Sequence, residues 1–334
     1  MDEDLLSRMT VREATHDDYQ AVMNMASPDT FRDGFDYLLA KFHGFVDDPD
    51  TVFLLVELDG EVVFLDVQFL RDEGESCVAK TIRMSPKMLG RRFAKTFRAA
   101  MRVRHFAKFI EMSGQQPKKL HVLRDTERHD LKRLDSDLPL RTKSVINIMH
   151  FCWDATPRKD RLTDNQTSLS ALVPYQTSDI QRLLPPAFSA AILSEGTVLV
   201  DWDPYKLSEP NMKKLVEADC YILVDSTEPV AKSLSFGGSY MTPRGRVYHI
   251  DIHCKDQALC KAHIITHVKN AISQYTGMIT FCVVVIDKML KDVVMTFCVQ
   301  YLHFKHLPHD HEYIHYDIDT DDLEMAEPAP KAKF

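Results

Sequence analysis

The segment Met84-Ser85-Pro86-Lys87-Met88-Leu89-Gly90-Arg91-Arg92 has the make-up of an anion site. It follows a β-rich run, Cys77 to Met84, and opens a long helical pattern, about Gly90 to Met112. The free backbone N–H groups of a helix start, together with the helix dipole, attract phosphate. Glycine lets a backbone approach such a ligand closely, which gives Gly90 a role. The helix is also basic, carrying Arg91, Arg92, Lys95, Arg98, Arg102, Arg104 and Lys108. The first three stand where phosphate attraction is strongest, and from Arg102 onward a solvated face is the simpler reading.

Proton transfer needs a base within reach of such a site. His121 and Asp125, in or just after the strand-like run Lys118 to Leu123, and His129 beyond it, are the candidates. Each has a structural or surface role as the plainer alternative. A metal centre is not expected. His249 and His253 share one face of a strand, His263 and His267 lie one helical turn apart, and Cys254 and Cys260 are close in sequence. That spacing matches no established ligand pattern. His306-x-x-His309-x-His311 reads as a polar loop.

The elements that must position these residues follow from hydrophobic period and turn signals. Thr10 to Ala14 reads as a strand, and Thr15-x-x-Asp18 as a capping box that opens a helix through Met25. A second helix runs from about Phe35 to Val46. Thr51 to Leu58 and Glu61 to Leu70 form a hairpin about Asp59-Gly60. After the third strand and the long helix come Lys118 to Leu123, a short helix from His129 to Leu134, and a last strand, Thr142 to Trp153. The order predicts an α+β fold with a mostly antiparallel sheet and one crossover helix.

The second half repeats this order. A broken helix, Ile180 to Leu193, precedes strands at Thr197 to Trp202, Cys220 to Val224, Ala231 to Tyr240 and Val247 to His253. A helix spans Gln257 to Tyr275, and Ile279 to Ile286 is apolar enough for a buried strand. A short helix and a strand, Thr296 to Lys305, complete the set, and an acidic, then Ala/Pro/Lys-rich tail reads as disordered beyond about Glu324.

Composition sets limits on partners. The chain has 334 residues, enough for two domains, and a net charge of −8, which does not suit bulk binding to nucleic acid or anionic membrane. No recognised nucleic-acid motif accompanies the basic helix. Seven cysteines without a C-x-x-C pair read as reduced, buried thiols in a cytosolic or nuclear setting, and a cytoplasmic protein is expected.

The run Thr81 to Ala94 resembles the strand–loop–helix of GCN5-related N-acetyltransferases, whose loop reads Q/R-x-x-G-x-G/A and wraps the pyrophosphate of acetyl-CoA. Gly90 fits the first glycine, whereas Lys87 replaces the first Gln or Arg and Arg92 the second small residue. From Thr15-x-x-Asp18 to Ile148-Met149-His150-Phe151 the chain is similar to the catalytic half of the histidine N-acetyltransferase family. Gly196-Thr197, Asp201-Trp202-x-Pro204-Tyr205 and Tyr248-His249-Ile250-Asp251 carry the likeness to that family's C-terminal domain. The resemblance covers roughly residues 10–320.

It implies a GCN5-related N-acetyltransferase fold over residues 8–157, a linker at 158–169, a divergent acetyltransferase-like lobe over 170–322 and a tail at 323–334. It also implies acetyl-CoA as co-substrate and a small amine, such as free histidine, as acceptor. Ile82, Arg83, Met84, Lys87, Met88, Leu89, Gly90, Arg91 and Arg92 would then line the cofactor site, with a backbone N–H near Ile82 to Met84 as oxyanion donor. A cation for an acceptor carboxylate would come from Arg83 or Arg124. Lys80 stands where the family strand carries Glu, and His129 to Leu140 holds no Tyr to act as general acid. These departures keep open a non-catalytic relative that binds acyl-CoA or a partner protein. The second lobe, whose helix starts Lys255-Asp256-Gln257-Ala258 without glycine, is expected not to bind the cofactor.

Overall fold

The computed structural model describes residues 8–88, 93–126, 141–155 and 172–322, except 186, 189–191, 194–195 and 227–228. The expected linker at 158–169, the tail at 323–334, Leu89 to Arg92 and the short helix expected from His129 to Leu134 lie outside the described residues. Contacts divide the chain into two units: Met1–Leu123, Arg128–Arg141 and Tyr316–Phe334 in unit 1, and Arg124–Glu127 and Thr142–His315 in unit 2. Among the described residues, no helix is long and apolar enough to cross a membrane.

Unit 1 begins with β1 (Met9–Glu13), α1 (Tyr19–Asn24) and α2 (Leu38–Asp47). The capping box ahead of α1 is present: Thr15 N–H donates to Asp18 Oδ2 at 2.8 Å. Arg12 bonds both Asp18 oxygens, and that guanidinium holds the Asp18 carboxyl down at about 2. β2 (Thr51–Leu58) and β3 (Glu61–Arg71) form the expected hairpin, with Asp59 and Gly60 both at positive φ, as its two-residue turn requires. β4 (Ser76–Met84), α3 (Phe93–Ser113) and β5 (Lys119–Asp125) follow. The strands lie in the order β1-β2-β3-β4-β5. One core, with Phe42, Leu55 and Val78, faces α1 and α2; the other, with Val56, Cys77 and Phe109, faces α3.

Unit 2 repeats that order with β7 (Leu172–Pro174), β10 (Tyr221–Asp225), β11 (Ser233–Thr242), β12 (Gly245–Cys254) and β13 (Met278–Val285). α6 (Gln257–Gln274) crosses from β12 to β13, as α3 crosses from β4 to β5. Its sixth strand is β6 (Arg141–Asp154), antiparallel to β13 from Asn147↔Val285 to Asp154↔Met278. Sequence order alone puts this strand with the first half, but Met149, Phe151 and Trp153 point into the core around Phe281. The last strand, β14 (Lys305–Asp319), ends in unit 1, where Ile318 joins the α3-side core and Thr320 N–H donates to Lys118 O at 3.0 Å.

Three elements differ from the sequence reading. Residues 296–301, read as a strand, complete α7 (Lys291–Thr296) and a π-helical turn, Phe297–Tyr301, because Phe297 and Cys298 are buried in the unit 2 core. His306, His309 and His311 lie in β14, not in a loop: His150 Nδ1 meets His309 O at 2.7 Å, and the His306 and His311 rings pair with Asp310 and Asp125. Thr197 to Trp202 is half of a small hairpin of β8 (Thr197–Val200) and β9 (Asp203–Lys206), turned at Asp201 and Trp202 with both at positive φ. The broken helix is represented by α4 (Ile180–Leu183), and α5 (Glu209–Glu217) opens with Ser208 as N-cap and Pro210 in its first turn.

Phe281 is fully buried, stacked on Phe304 with centroids 5.2 Å apart. Truncating such a ring leaves a cavity. Phe281→Ala should destabilise unit 2 by about 3–5 kcal/mol, read as a fall in the urea midpoint.

Candidate functional site

β4 carries the irregularity of unit 1. Along the β3–β4 pair the register passes from Gln68↔Ala79 to Val67↔Thr81, so Lys80 is an extra residue on β4, a β-bulge. Parallel pairing of β4 with β5 runs for four positions, from Ser76↔Lys119 to Ala79↔Val122, and the register ends there. The bulge begins at the next residue. Beyond it, Ser85 N–H donates to Val63 O at 2.9 Å. Peptide groups alternate in direction along a strand. Arg83 therefore turns its N–H toward β3, and Ile82 and Met84 turn theirs toward the edge from which β5 has parted.

The two faces of this edge differ. Ala79, Met84 and Val122 pack against the α3-side core, and Ile82, on that same face, is 38% exposed. Thr81 and Arg83 are buried on the opposite face, toward α2. Tyr37 Oη lies 2.5 Å from Thr81 Oγ1 and donates to the carbonyl of Lys80 at 3.3 Å. Asp36 takes both terminal nitrogens of Arg83, at 2.5 and 2.6 Å, while Asp36 Oδ1 also accepts the N–H of Leu38 at 2.8 Å. The Arg83 guanidinium stacks 4.3 Å from the Phe31 ring centroid. Two adjacent residues ahead of α2 thus clamp the bulged stretch of β4 from one side.

The candidate residues fall as follows. Arg83 is committed to Asp36 and so is already neutralised. Lys87 is exposed and pairs with Glu61 at 2.5 Å, while Met88 is buried in the α3-side core and anchors the turn. His121 is buried on β5 and pairs in register with Val78. Because its neighbours Leu120 and Val122 pack on the α3 side, His121 lies on the face that carries Tyr37, Asp36 and Arg83. Arg124 and Asp125 are assigned to unit 2, where Asp125 pairs with His311 at 3.2 Å. Asp36 and Tyr37 were not singled out from sequence. A Tyr beside a carboxylate just before a helix was their one visible signal.

Unit 2 has neither irregularity. β11 and β12 pair without a shift from Ser233↔Cys254 to Thr242↔Gly245, and β12 and β13 stay paired from Arg246↔Ile279 to Ile252↔Val285. Its histidines are structural. Ser235 Oγ lies 2.6 Å from His263 Nδ1 and 2.8 Å from His267 Nε2. Ser233 Oγ bridges His263 Nε2, at 2.8 Å, to the buried carboxylate of Asp225, at 3.2 Å. Burial pushes His263 down to about 3 and lowers His267 and His253 as well. His249 Nδ1 bonds Asp251, whose Oδ2 also accepts the N–H of Asp201 at the β8–β9 turn. Among the described residues, no group of three or more His, Cys, Asp or Glu side chains could hold a metal ion.

Comparison with known proteins places this architecture. Residues 168–286 match the family described as histidine N-acetyltransferase, C-terminal. Histidine N-acetyltransferase of Oreochromis niloticus is 25% identical over 305 residues, 85% of this chain and 86% of that one. Human probable N-acetyltransferase 16 is 24% identical over 282 residues, 79% of this chain and 74% of the relative. The chain is thus similar to histidine N-acetyltransferases along most of its length, and its second half matches that family's C-terminal part. Among solved structures, a tandem GNAT protein from the clavulanic acid biosynthesis pathway superposes with a TM-score of 0.55 at 10% identity, covering 96% of this chain and 100% of the other. A GCN5-related N-acetyltransferase from Sphaerobacter thermophilus gives 0.54 at 11% identity, over 93% and 96% of the two chains. The fold is therefore that of a GCN5-related N-acetyltransferase with a second lobe.

Removing one partner of a buried ion pair strands the other charge. Asp36→Ala should cost about 3–5 kcal/mol, and Arg83→Met in the same chain should restore most of it; a denaturant titration of the two single variants and the double variant checks this. The lowered histidines set a pH dependence. The folded state keeps His263 neutral while the unfolded chain takes a proton below 6.5, so stability is lost as pH falls through the window from 6.5 to about 3. His263 alone accounts for about 2 kcal/mol by pH 5. The urea midpoint should already fall between pH 7 and pH 5, before ordinary carboxylates titrate.

Proposed function

We propose that this protein transfers the acetyl group of acetyl-CoA to the amino group of a small acceptor, with a free α-amino acid such as histidine as the acceptor class. The observation that supports this most is the parting of β4 from β5 immediately beside a bulge. It leaves the peptide N–H groups of Ile82 and Met84 on an open strand edge at the carboxyl ends of two parallel strands. Ligands of open α/β sheets bind at that end. The family match over residues 168–286 and the relatives' names agree with the reading.

The donor set on this edge suits the co-substrate. Acetyl-CoA supplies an activated acetyl thioester. The N–H groups of Ile82 and Met84 would donate to its carbonyl oxygens, and an N–H aimed where negative charge develops lowers the barrier. Leu89, Gly90, Arg91 and Arg92 are proposed, from sequence alone, to cradle the diphosphate at the start of α3. The acceptor would come from the face carrying Asp36, Tyr37 and Arg83. His121 lies on that face and is the base proposed to take the proton of the acceptor's ammonium. Because Asp36 occupies both terminal nitrogens of Arg83, Arg83 serves as a positioning residue and not as the anchor for an acceptor carboxylate.

A second reading has Lys80 in its favour. That residue replaces the Glu of the family strand at the bulge itself, which suits a lobe that binds acyl-CoA without catalysis.

Release of CoA thiol across a panel of amino acids separates the readings. An enzyme releases CoA with at least one acceptor. A binding module shows only a rise in Tm with acetyl-CoA, since a ligand of the native state raises apparent stability. Proline substitution tests the edge. Ile82→Pro deletes an N–H that makes no bond to β3, and should lower kcat by roughly 10²–10³-fold with little change in Tm. Arg83→Pro deletes an N–H bonded to β3 and should lower Tm. Equal activity of Ile82→Pro and the parent protein would sink the assignment.

A further inference from the structure

We propose that unit 2 holds a second small-molecule site, specific for a free zwitterionic amino acid with a ring side chain, between the first turns of α6 and the π-helical turn after α7. A cavity of about 590 Å³ lies there, lined by Gln257, Lys261, Asp292, Phe297, Gln300 and Tyr301, among others. That volume suits a small-molecule pocket.

The charges on its wall define the ligand. Lys261 on α6 and Asp292 on α7 both face the cavity, yet no ion pair joins them, and neither has a salt-bridge partner among the described residues. Gln257 and Gln300 bring two amides, likewise without side-chain hydrogen bonds among the described residues. One unpaired cation and one unpaired anion lining the same cavity call for a ligand with one of each. A ligand with one charge would leave an opposite wall charge unmatched.

The apolar part of the ligand has a place too. Phe297 is buried, and Tyr301 stacks on it at 5.3 Å with an interplanar angle of 17°, leaving Tyr301 53% exposed. An exposed ring face suits a phenyl or imidazole ring. Both aromatics sit on the π-helical turn, a local geometry often found at functional sites.

A phosphate ligand is disfavoured. Asp256 caps α6, and its Oδ1 accepts the Leu259 N–H at 2.8 Å, so one anion-binding donor is already used and a carboxylate stands at the helix start. The strand edge nearby is closed by the continuous β12–β13 pairing. The pocket lies wholly within unit 2, and its lining owes nothing to the β4–β5 edge.

Acetylation removes the positive charge of an amino acid. The N-acetyl product would then leave Asp292 without a partner, and a site built on paired charges rejects such an analogue. The pocket would therefore distinguish free amino acid from N-acetylated amino acid. Because its charged groups are open to solvent, binding should be in the millimolar range.

The test is methyl NMR on the full chain labelled at valine methyl groups. Val293 on α7 lines the pocket and reports on it locally, with its signal assigned from Val293→Ile. L-Histidine and L-phenylalanine should shift the Val293 signal saturably. N-acetyl-L-histidine and L-histidinamide, which each lack one charge, should shift it at least tenfold less strongly at equal concentration. Lys261→Gln and Asp292→Asn should each weaken the amino acids at least tenfold while CoA release stays unchanged. The inference is overturned if no free amino acid shifts Val293, if the N-acetyl form binds equally well, or if both variants bind as the parent protein does.

Discussion

Everything at the candidate site depends on one interruption of strand pairing. Backbone N–H and C=O groups must find partners, and in a sheet the neighbouring strand provides them. β4 and β5 provide them for one another only as far as Ala79↔Val122. From there the edge of β4 is a row of peptide groups in need of a partner. The bulge at Lys80 falls at this point, and a bulge bends its strand and increases the local twist. Bulge and parting are thus two aspects of one distortion. Unit 2 shows the alternative outcome in the same strand order: no bulge between β11 and β12, and β13 paired with β12 over seven positions.

A bent strand needs something to hold it, and the residues ahead of α2 do so. Tyr37 bonds the carbonyl of Lys80 and the hydroxyl of Thr81; Asp36 grips Arg83 and the first N–H of α2. Lys80, Thr81 and Arg83 of β4 are thereby tied to a single helix start. In unit 2 the space between α6 and β11 is filled by histidine and serine side chains in mutual hydrogen bonds. Gly237 fits the same logic, because a Cβ there would lie 2.4 Å from the His267 ring and 2.8 Å from the Tyr248 hydroxyl. That lobe uses polar groups to fill and order its core, with histidines kept neutral by burial, whereas unit 1 uses them to shape an edge.

Most of the architecture was legible because local signals agreed with tertiary ones. The Asp59-Gly60 hairpin, the Thr15/Asp18 capping box and the long helices all carry short-range signatures, and all are present. What was not legible required partners remote in sequence. β6 reads as a strand from its residues, but that it pairs with β13 depends on which core Met149, Phe151 and Trp153 enter. The stretch from Thr296 to Tyr301 has strand-like composition and turns helical because Phe297 and Cys298 reach the core that way. The edge residues Ile82 to Met84 were singled out through a family resemblance, whereas Asp36 and Tyr37, the residues that hold the edge, lie more than forty positions away and form no motif with it.

The electrostatics of the clamp also bear on the acceptor. Asp36 and Arg83 pair with one another on their face of β4. Lys80 Nζ lies 5.6 Å from the Tyr37 ring centroid. An acceptor amine brought beside a lysine ammonium would have its own protonated form disfavoured, since a neighbouring like charge lowers an amine's pKa. That effect favours the neutral amine that attacks a thioester. The same ammonium would attract a carboxylate, which a free α-amino acid carries and a simple amine lacks. Lys80 counts against catalysis when it is read as a missing glutamate base. Read as a cation at the bulge, it would favour an acceptor with its own negative charge, and proton removal would then fall to His121, the base proposed above.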